Sequence, residues 1–307
     1  LTIREAYAHC RAITHKHGAN FSVGFRFLPA AKRRAVYAAY AFCRIADDIA
    51  DEDIDPWGGP PARRVAAGPA AGVTAGEAAG PTKAIALDDW QRELDACYAG
   101  QPTHPITIAL ADSLQHFAIP KSAFLALIDG CRQDMVKTRY ETFAELLHYC
   151  ELVASSISDI SLAIFGYRSP AALEHGRSLA TALQLTNVTR DIGDDLTRDR
   201  VYLPAEELRR FGVEERDLVA RAETDRMRSL IEFQIERAEQ YFHDAEPLLR
   251  ELDFDARFPT LLMGGVYATV LAKLRKDPLV AIRKRLSLTP LQKVLVVGTR
   301  VLRPHFV

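Results

Sequence analysis

Two acidic clusters constrain this chain more than any other feature. They are Asp47-Asp48-Ile49-Ala50-Asp51 and Asp191-Ile192-Gly193-Asp194-Asp195. Each follows an apolar-periodic stretch, 35–46 and 179–188, so each sits late in a helix. Asp47 and Asp51 are four residues apart, as are Asp191 and Asp195, and each pair shares a helix face. Like charges at that spacing repel, and the C-terminal end of the helix dipole disfavours them further. A chain that adopts this arrangement twice needs positive charge to offset it. Oxygen donors without His or Cys suit a hard divalent cation, magnesium above all, carrying an anionic ligand.

Around the clusters the sequence reads as helix. Apolar residues recur at three-and-four spacing over 29–50, 89–98, 122–135, 142–165, 173–196, 230–252 and 260–275, and strand alternation is scarce. Prolines and glycines cluster between these stretches, as helix punctuation. With 307 residues, 48% of them hydrophobic, the chain can bury a large core. The expectation is an all-α fold in a single domain over 1–307, its two acidic helices facing one cavity. Segment 55–81 departs from this pattern, with Trp57-Gly58-Gly59-Pro60-Pro61 followed by Ala/Gly-rich sequence. It is expected as a surface loop directly after the first cluster, either a lid or an idle insertion.

Composition excludes several classes. A net charge of −1 gives no field for nucleic acid. Five widely spaced cysteines without a Cys-x-x-Cys pair suggest neither a zinc site nor a disulfide framework, and fit a reducing, cytoplasmic setting. The N-terminal residues read as an amphipathic helix rather than a signal peptide, and no apolar run reaches transmembrane length. The stretch 291–302 has Val294 to Val297 between Lys293 and Arg300. Peripheral membrane contact is one reading of it; its shortness favours a core helix. No Gly-x-Gly-x-x-Gly unit is present, so NADPH is not indicated.

The neighbours of the aspartates sharpen the chemistry. Arg44 precedes Asp47 by three residues and Asp48 by four, and Arg190 precedes Asp194 by four. One isolated Arg–Asp pair reads as a salt bridge. Two arginines beside two aspartate triplets read as sites where metal-bearing carboxylates and guanidinium groups take a diphosphate. Gln184 and Asn187 lie seven and four residues before Asp191 on the same face. Their amides either bind metal or diphosphate oxygen, or satisfy each other in the core.

Three stretches, Tyr40-Ala-Phe-Cys-Arg-Ile-Ala-Asp-Asp-Ile-Ala-Asp51, Gln184-Leu-Thr-Asn-Val-Thr-Arg-Asp-Ile-Gly-Asp-Asp195 and Arg200-Val-Tyr-Leu-Pro204, resemble the squalene/phytoene synthases. The resemblance runs from residue 6 to about residue 293. It implies an isoprenoid-synthase helical bundle around one central cavity, and an enzyme that joins prenyl diphosphates head to head with Mg2+. By the same resemblance, Asp47, Asp51, Asn187, Asp191 and Asp195 match metal-binding positions, and Asp48 and Tyr149 join the catalytic set. Arg44, Gln184 and Arg190 match diphosphate contacts. His17, Phe21, Tyr40, Tyr267 and Arg283 match other substrate-side positions. The implied chemistry is two successive ionisations through a cyclopropylcarbinyl diphosphate, with water excluded from the carbocations. Aromatic faces such as Tyr40 or Tyr149 stabilise such cations.

The match departs from the family at Ser155 and Ser158, where glycines are usual. Serines there either hold a water or bond back to a helix carbonyl, the commoner behaviour mid-helix. Asn20 to Gly24, Arg132-Gln-Asp134 and Thr138-Arg-Tyr140 look like bacterial squalene-pathway enzymes of hopanoid synthesis, whereas Thr189 to Asp195 looks equally like phytoene synthases. The leading expectation is C30 squalene or hydroxysqualene chemistry, with C40 phytoene synthesis as the alternative. Three rivals are weaker. A non-catalytic assembly-factor homologue should have lost its aspartates. A di-iron bundle needs paired Glu-x-x-His motifs, and only Glu145 to His148 fits. A diphosphate hydrolase needs an open, wet site.

Overall fold

The alanine-rich stretch after Pro29 forms the 22-residue helix Ala30–Asp51, within one residue of the expected 29–50 at each end. The computed structural model describes residues 1–17, 22–51, 56, 80–302, 305 and 306. Phe21 and the expected 55–81 loop, apart from Pro56, Gly80 and Pro81, lie outside the described residues. Among the described residues regular structure is helical, with only two isolated bridges, Arg139 with Val201 and Tyr167 with Leu252. The chain divides into two compact units, one of Leu1–Ala19 and Ala30–Val136, the other of Asn20–Pro29 and Lys137–Val307.

In the first unit, Ala30–Asp51 is the central element. Helices Ile3–His17, Gly80–Tyr98, Pro105–Leu114 and Lys121–Asp134 pack on it. Its small residues Ala35, Ala38, Ala41 and Ala46 are buried and let those helices approach. Phe42 stacks on Trp90, with ring centroids 4.8 Å apart, and meets Phe124 edge-on at 5.0 Å. All three rings are fully buried, each worth about 2–3 kcal/mol. Trp90 also donates its indole N–H to the Phe42 carbonyl at 3.2 Å. Lys83 closes the acidic end, its Nζ donating to the Ala50 and Asp51 carbonyls at 2.9 and 3.1 Å. That is the favoured charge for a helix C-terminus. Helix Gly80–Tyr98 starts nine residues before the expected 89.

In the second unit, Ala171–Arg190 is packed by Asp225–Ala245, Ser156–Phe165 and Phe254–Lys276. Gly176 permits a close approach by Ser156–Phe165, because a Cβ there would lie 2.6 Å from the Leu162 side chain. Three expected helices are interrupted, and 230–252 becomes Asp225–Ala245 and Leu248–Glu251 on either side of Glu246 and Pro247. The stretch 142–165 becomes Phe143–Cys150 and Ser156–Phe165, joined by a π-helical turn, Glu151–Ser155. Ser156, inside the serine run, bonds back to the Leu152 carbonyl at 2.5 Å. The stretch 173–196 ends as a regular helix at Arg190 and restarts as Ile192–Asp195. The break falls at Asp191, and just beyond it Gly193 lies against another segment: a Cβ there would meet the Ile282 carbonyl at 2.7 Å. Helix Pro290–Leu302 packs on Phe254–Lys276; it buries Val296 and exposes Leu291 and Leu295.

Candidate active site

The end of Ala30–Asp51 carries Tyr40, Arg44, Asp47, Asp48 and Asp51 over three turns. Arg44 pairs with Asp48 rather than Asp47. Asp48 is buried, and the Arg44 Nε is buried without a hydrogen-bond partner. Water reaches Asp47, yet the protein crowding around it pushes its carboxyl up to about 7. Arg44 and the Cys131 thiol, 3.5 Å from Oδ1, oppose that rise, while Asp51 and Asp134 add repulsion. Burial and the Asp47 charge hold the Cys43 and Cys131 thiols well above their usual range, so neither is a nucleophile. Asp134 was not among the expected site residues. The signal was present: it is the last residue of helix Lys121–Asp134, again an acid at the unfavourable end.

The second acidic end is compensated differently. Arg190, buried, grips its own neighbour Asp191 with Nε on Oδ1 at 2.6 Å and a terminal nitrogen on Oδ2 at 2.5 Å. It does not pair with Asp194, as the four-residue spacing predicts, because the helix breaks between them. Arg285 adds a second guanidinium, its Nε 3.2 Å from Asp191 Oδ1. Arg283, the expected substrate contact, pairs with Asp277 and, at 3.6 Å, with Glu223. Asp195 has no such grip. Burial and the repulsion of Asp191 push its carboxyl up to about 7, against the pull of Arg200 and Arg198. Asp194 is exposed. Arg200 and Arg285 are further residues that sequence reasoning left outside the site; Arg200 lay inside a quoted motif, and Arg285 in a run of three bases.

Asn187 donates to Gln184 Oε1 at 3.3 Å, whereas its own Oδ1 is buried and accepts nothing. Tyr267 lies beside it, and burial raises its hydroxyl pKa, opposed by Arg190 and Asn187. A hollow of about 10 Å³, lined by Asp195, Arg200, Tyr202 and Val188 among others, has room for a water and not for a hydrocarbon. Tyr149 is buried in a cluster with Tyr140 and Tyr202, centroids 5.4 to 5.7 Å apart. His17 ends the first helix and is exposed.

Each acidic helix end holds donors that fit a magnesium ion. An orphaned amide oxygen and two carboxyls forced towards neutrality by crowding are groups that a cation would satisfy. Among the described residues no three His, Cys, Asp or Glu side chains are gathered into a ready cage. Magnesium does not require one, since it keeps waters and binds through one or two carboxylates plus ligand phosphates.

A family model described as squalene/phytoene synthase matches residues 14–292. The chain is 36% identical over 282 residues to a 15-cis-phytoene synthase from Synechocystis, covering 88% of this chain and 77% of that one. A crystal structure of a dehydrosqualene synthase with ligand superposes with a TM-score of 0.83 at 25% identity, over 99% of this chain and 98% of that one. The squalene synthase HpnC from Alicyclobacillus acidocaldarius superposes at 0.77 with 30% identity, over 90% and 95%.

Proposed function

We propose a reaction for a chain that belongs to the squalene/phytoene synthase family and is a prenyltransferase of that type: two C15 prenyl diphosphates are joined head to head into a C30 product of the squalene series. The fold is the all-α isoprenoid-synthase fold expected from the sequence. The observation that carries the reading is the pair of helix ends where carboxylates outnumber their compensation and a guanidinium stands beside each. Such ends take diphosphates.

In the first half-reaction one carbon–oxygen bond breaks and diphosphate leaves. The double bond of the second substrate attacks, and a proton is lost as the cyclopropane closes. Asp47, Asp51, Asn187, Asp191 and Asp195 would hold magnesium, which when bound neutralises the departing diphosphate. Arg190 and Arg285 orient the carboxylate between them and offer their remaining N–H groups to phosphate oxygen. Arg44, which holds Asp48, does the same at the other helix end. Tyr149 and its ring neighbours Tyr140 and Tyr202 supply aromatic surface suited to an allylic cation. Both compact units are read as one catalytic domain. The hydrocarbon product leaves through peripheral membrane contact from a cytoplasmic protein, a reading the exposed Leu291 and Leu295 support. Among the described residues no helix is long and apolar enough to cross a membrane.

The C30 reading is supported by the likeness to the dehydrosqualene and squalene synthase structures. Condensation of two C20 substrates to phytoene is the second reading, favoured by the Synechocystis relative. Mass spectrometry of lipids formed from farnesyl, geranylgeranyl and presqualene diphosphate, with magnesium and with or without NADPH, separates them. A C30 hydrocarbon or alcohol from farnesyl diphosphate is expected. A C40 product from geranylgeranyl diphosphate alone would replace this reading with the second.

A further inference from the structure

Arg221 occupies a backbone position made for glycine. It follows helix Glu215–Val219 with φ 51°, in the left-handed region. The Ala222 N–H bonds the Asp217 carbonyl and the Arg221 N–H bonds the Leu218 carbonyl, both at 2.9 Å. This is a full Schellman closure, in which glycine normally takes the left-handed residue. An arginine held there bears a conformational cost, so its side chain is the place to look for a reason.

That side chain spans two segments of the candidate site. One terminal nitrogen donates to the Arg283 carbonyl at 3.1 Å, and the other, more loosely, to the Gly193 carbonyl at 3.4 Å. Gly193 sits within the second acidic turn, and its missing side chain lets the Ala281–Ile282 backbone lie directly against it. Arg283 returns the contact by pairing with Glu223, two residues beyond Arg221. The loop 221–223 therefore grips segment 283 twice, by backbone and by side chain. Two residues further on, Arg285 reaches Asp191.

We propose that Arg221 is a positioning residue: its forked guanidinium braces the Ile192–Asp195 turn to segment 283–285, holding Arg285 on Asp191 so that a diphosphate meets a pre-formed patch. The patch being a diphosphate site rests on the function proposed above; the brace does not. A planar fork can bridge two carbonyls of fixed separation, and a lysine ammonium offers no such fork.

Arg221→Gly tests this, because it deletes the brace while relieving the left-handed strain. Its melting temperature is expected to equal or exceed that of the parent chain. Amide hydrogen exchange at 192–195 and 281–285 is expected to quicken in the variant without ligand. By calorimetry, inorganic pyrophosphate with magnesium is expected to bind about tenfold more weakly, with Arg221→Lys in between. Arg216→Gly, an exposed change on the same helix, serves as the comparator and is expected to leave exchange and binding unchanged. Unchanged exchange in Arg221→Gly overturns the brace. Faster exchange with unchanged pyrophosphate affinity overturns the positioning role. If the parent chain itself fails to bind pyrophosphate, the diphosphate reading falls, and the exchange comparison alone decides the brace.

Discussion

Neutralising an aspartate should have opposite effects at the two helix ends. Repulsion between like charges four residues apart argues from sequence alone that Asp47→Asn and Asp191→Asn both leave the fold intact or firmer. The structure separates them. Asp191 is gripped by buried Arg190 through two bonds and by Arg285 through a third. Asp191→Asn leaves the Arg190 guanidinium, whose side chain is only 6% exposed, facing a neutral amide with one acceptor oxygen in place of two. Breaking a buried pair from one side costs about 3–5 kcal/mol. The remaining acceptor and the partial exposure of Asp191 place the cost near the lower figure, about 3 kcal/mol. At about 2 °C per kcal/mol for a chain of this size, Asp191→Asn should melt about 6 °C lower.

Asp47 has no comparable grip, and its carboxyl is pushed up to about 7. An unfolded aspartate near 3.9 loses its proton first, so this group weakens the fold as pH rises from about 4 to about 7. Asp47→Asn should therefore raise the melting temperature in EDTA at pH 8, with the gain vanishing towards pH 4. Thermal melts of both variants in EDTA at pH 8 and pH 5 make the comparison. If Asp191→Asn melts with or above the parent chain at pH 8, the buried-pair reasoning is refuted.

Other outcomes follow from the same geometry. Asp47 and Asp195 must lose their protons to hold a cation, so the thermal shift produced by magnesium with pyrophosphate should grow between pH 5.5 and pH 8, as a pH series of melts would show. Arg285→Ala should raise KM for the prenyl diphosphate about tenfold more than Arg283→Ala, because only Arg285 reaches Asp191; steady-state kinetics on both variants decide it. Trp90→Phe should cost about 1–3 kcal/mol in denaturant unfolding, through the lost bond to the Phe42 carbonyl and the smaller stacked ring.

Most of the helical architecture was legible because periodicity reports burial, and burial decides which helices form. Ala30–Asp51 and Lys121–Asp134 fall within a residue of their expected ends for that reason. The breaks were not legible. Beside the bend at Asp191, Gly193 meets a segment distant in sequence at the Ile282 carbonyl, and the π-turn at Glu151–Ser155 carries no sequence signal. That bend redirected Arg190 from Asp194 to Asp191. The contact of Arg285 with Asp191 was equally hidden, since three adjacent bases look alike in sequence whereas their ion pairs differ. Asp134 was legible by the same rule that singled out the two clusters, an acid on the last turn of a helix.

Release of pyrophosphate from farnesyl diphosphate, followed together with lipid product, tests most directly whether the acidic helix ends ionise a prenyl diphosphate. Release that requires magnesium, stops in EDTA, collapses in Asp47→Asn and Asp191→Asn, and matches a coupled C30 lipid is the expected result. Release that persists without a divalent cation, or that yields only the uncoupled prenyl alcohol, would contradict the account.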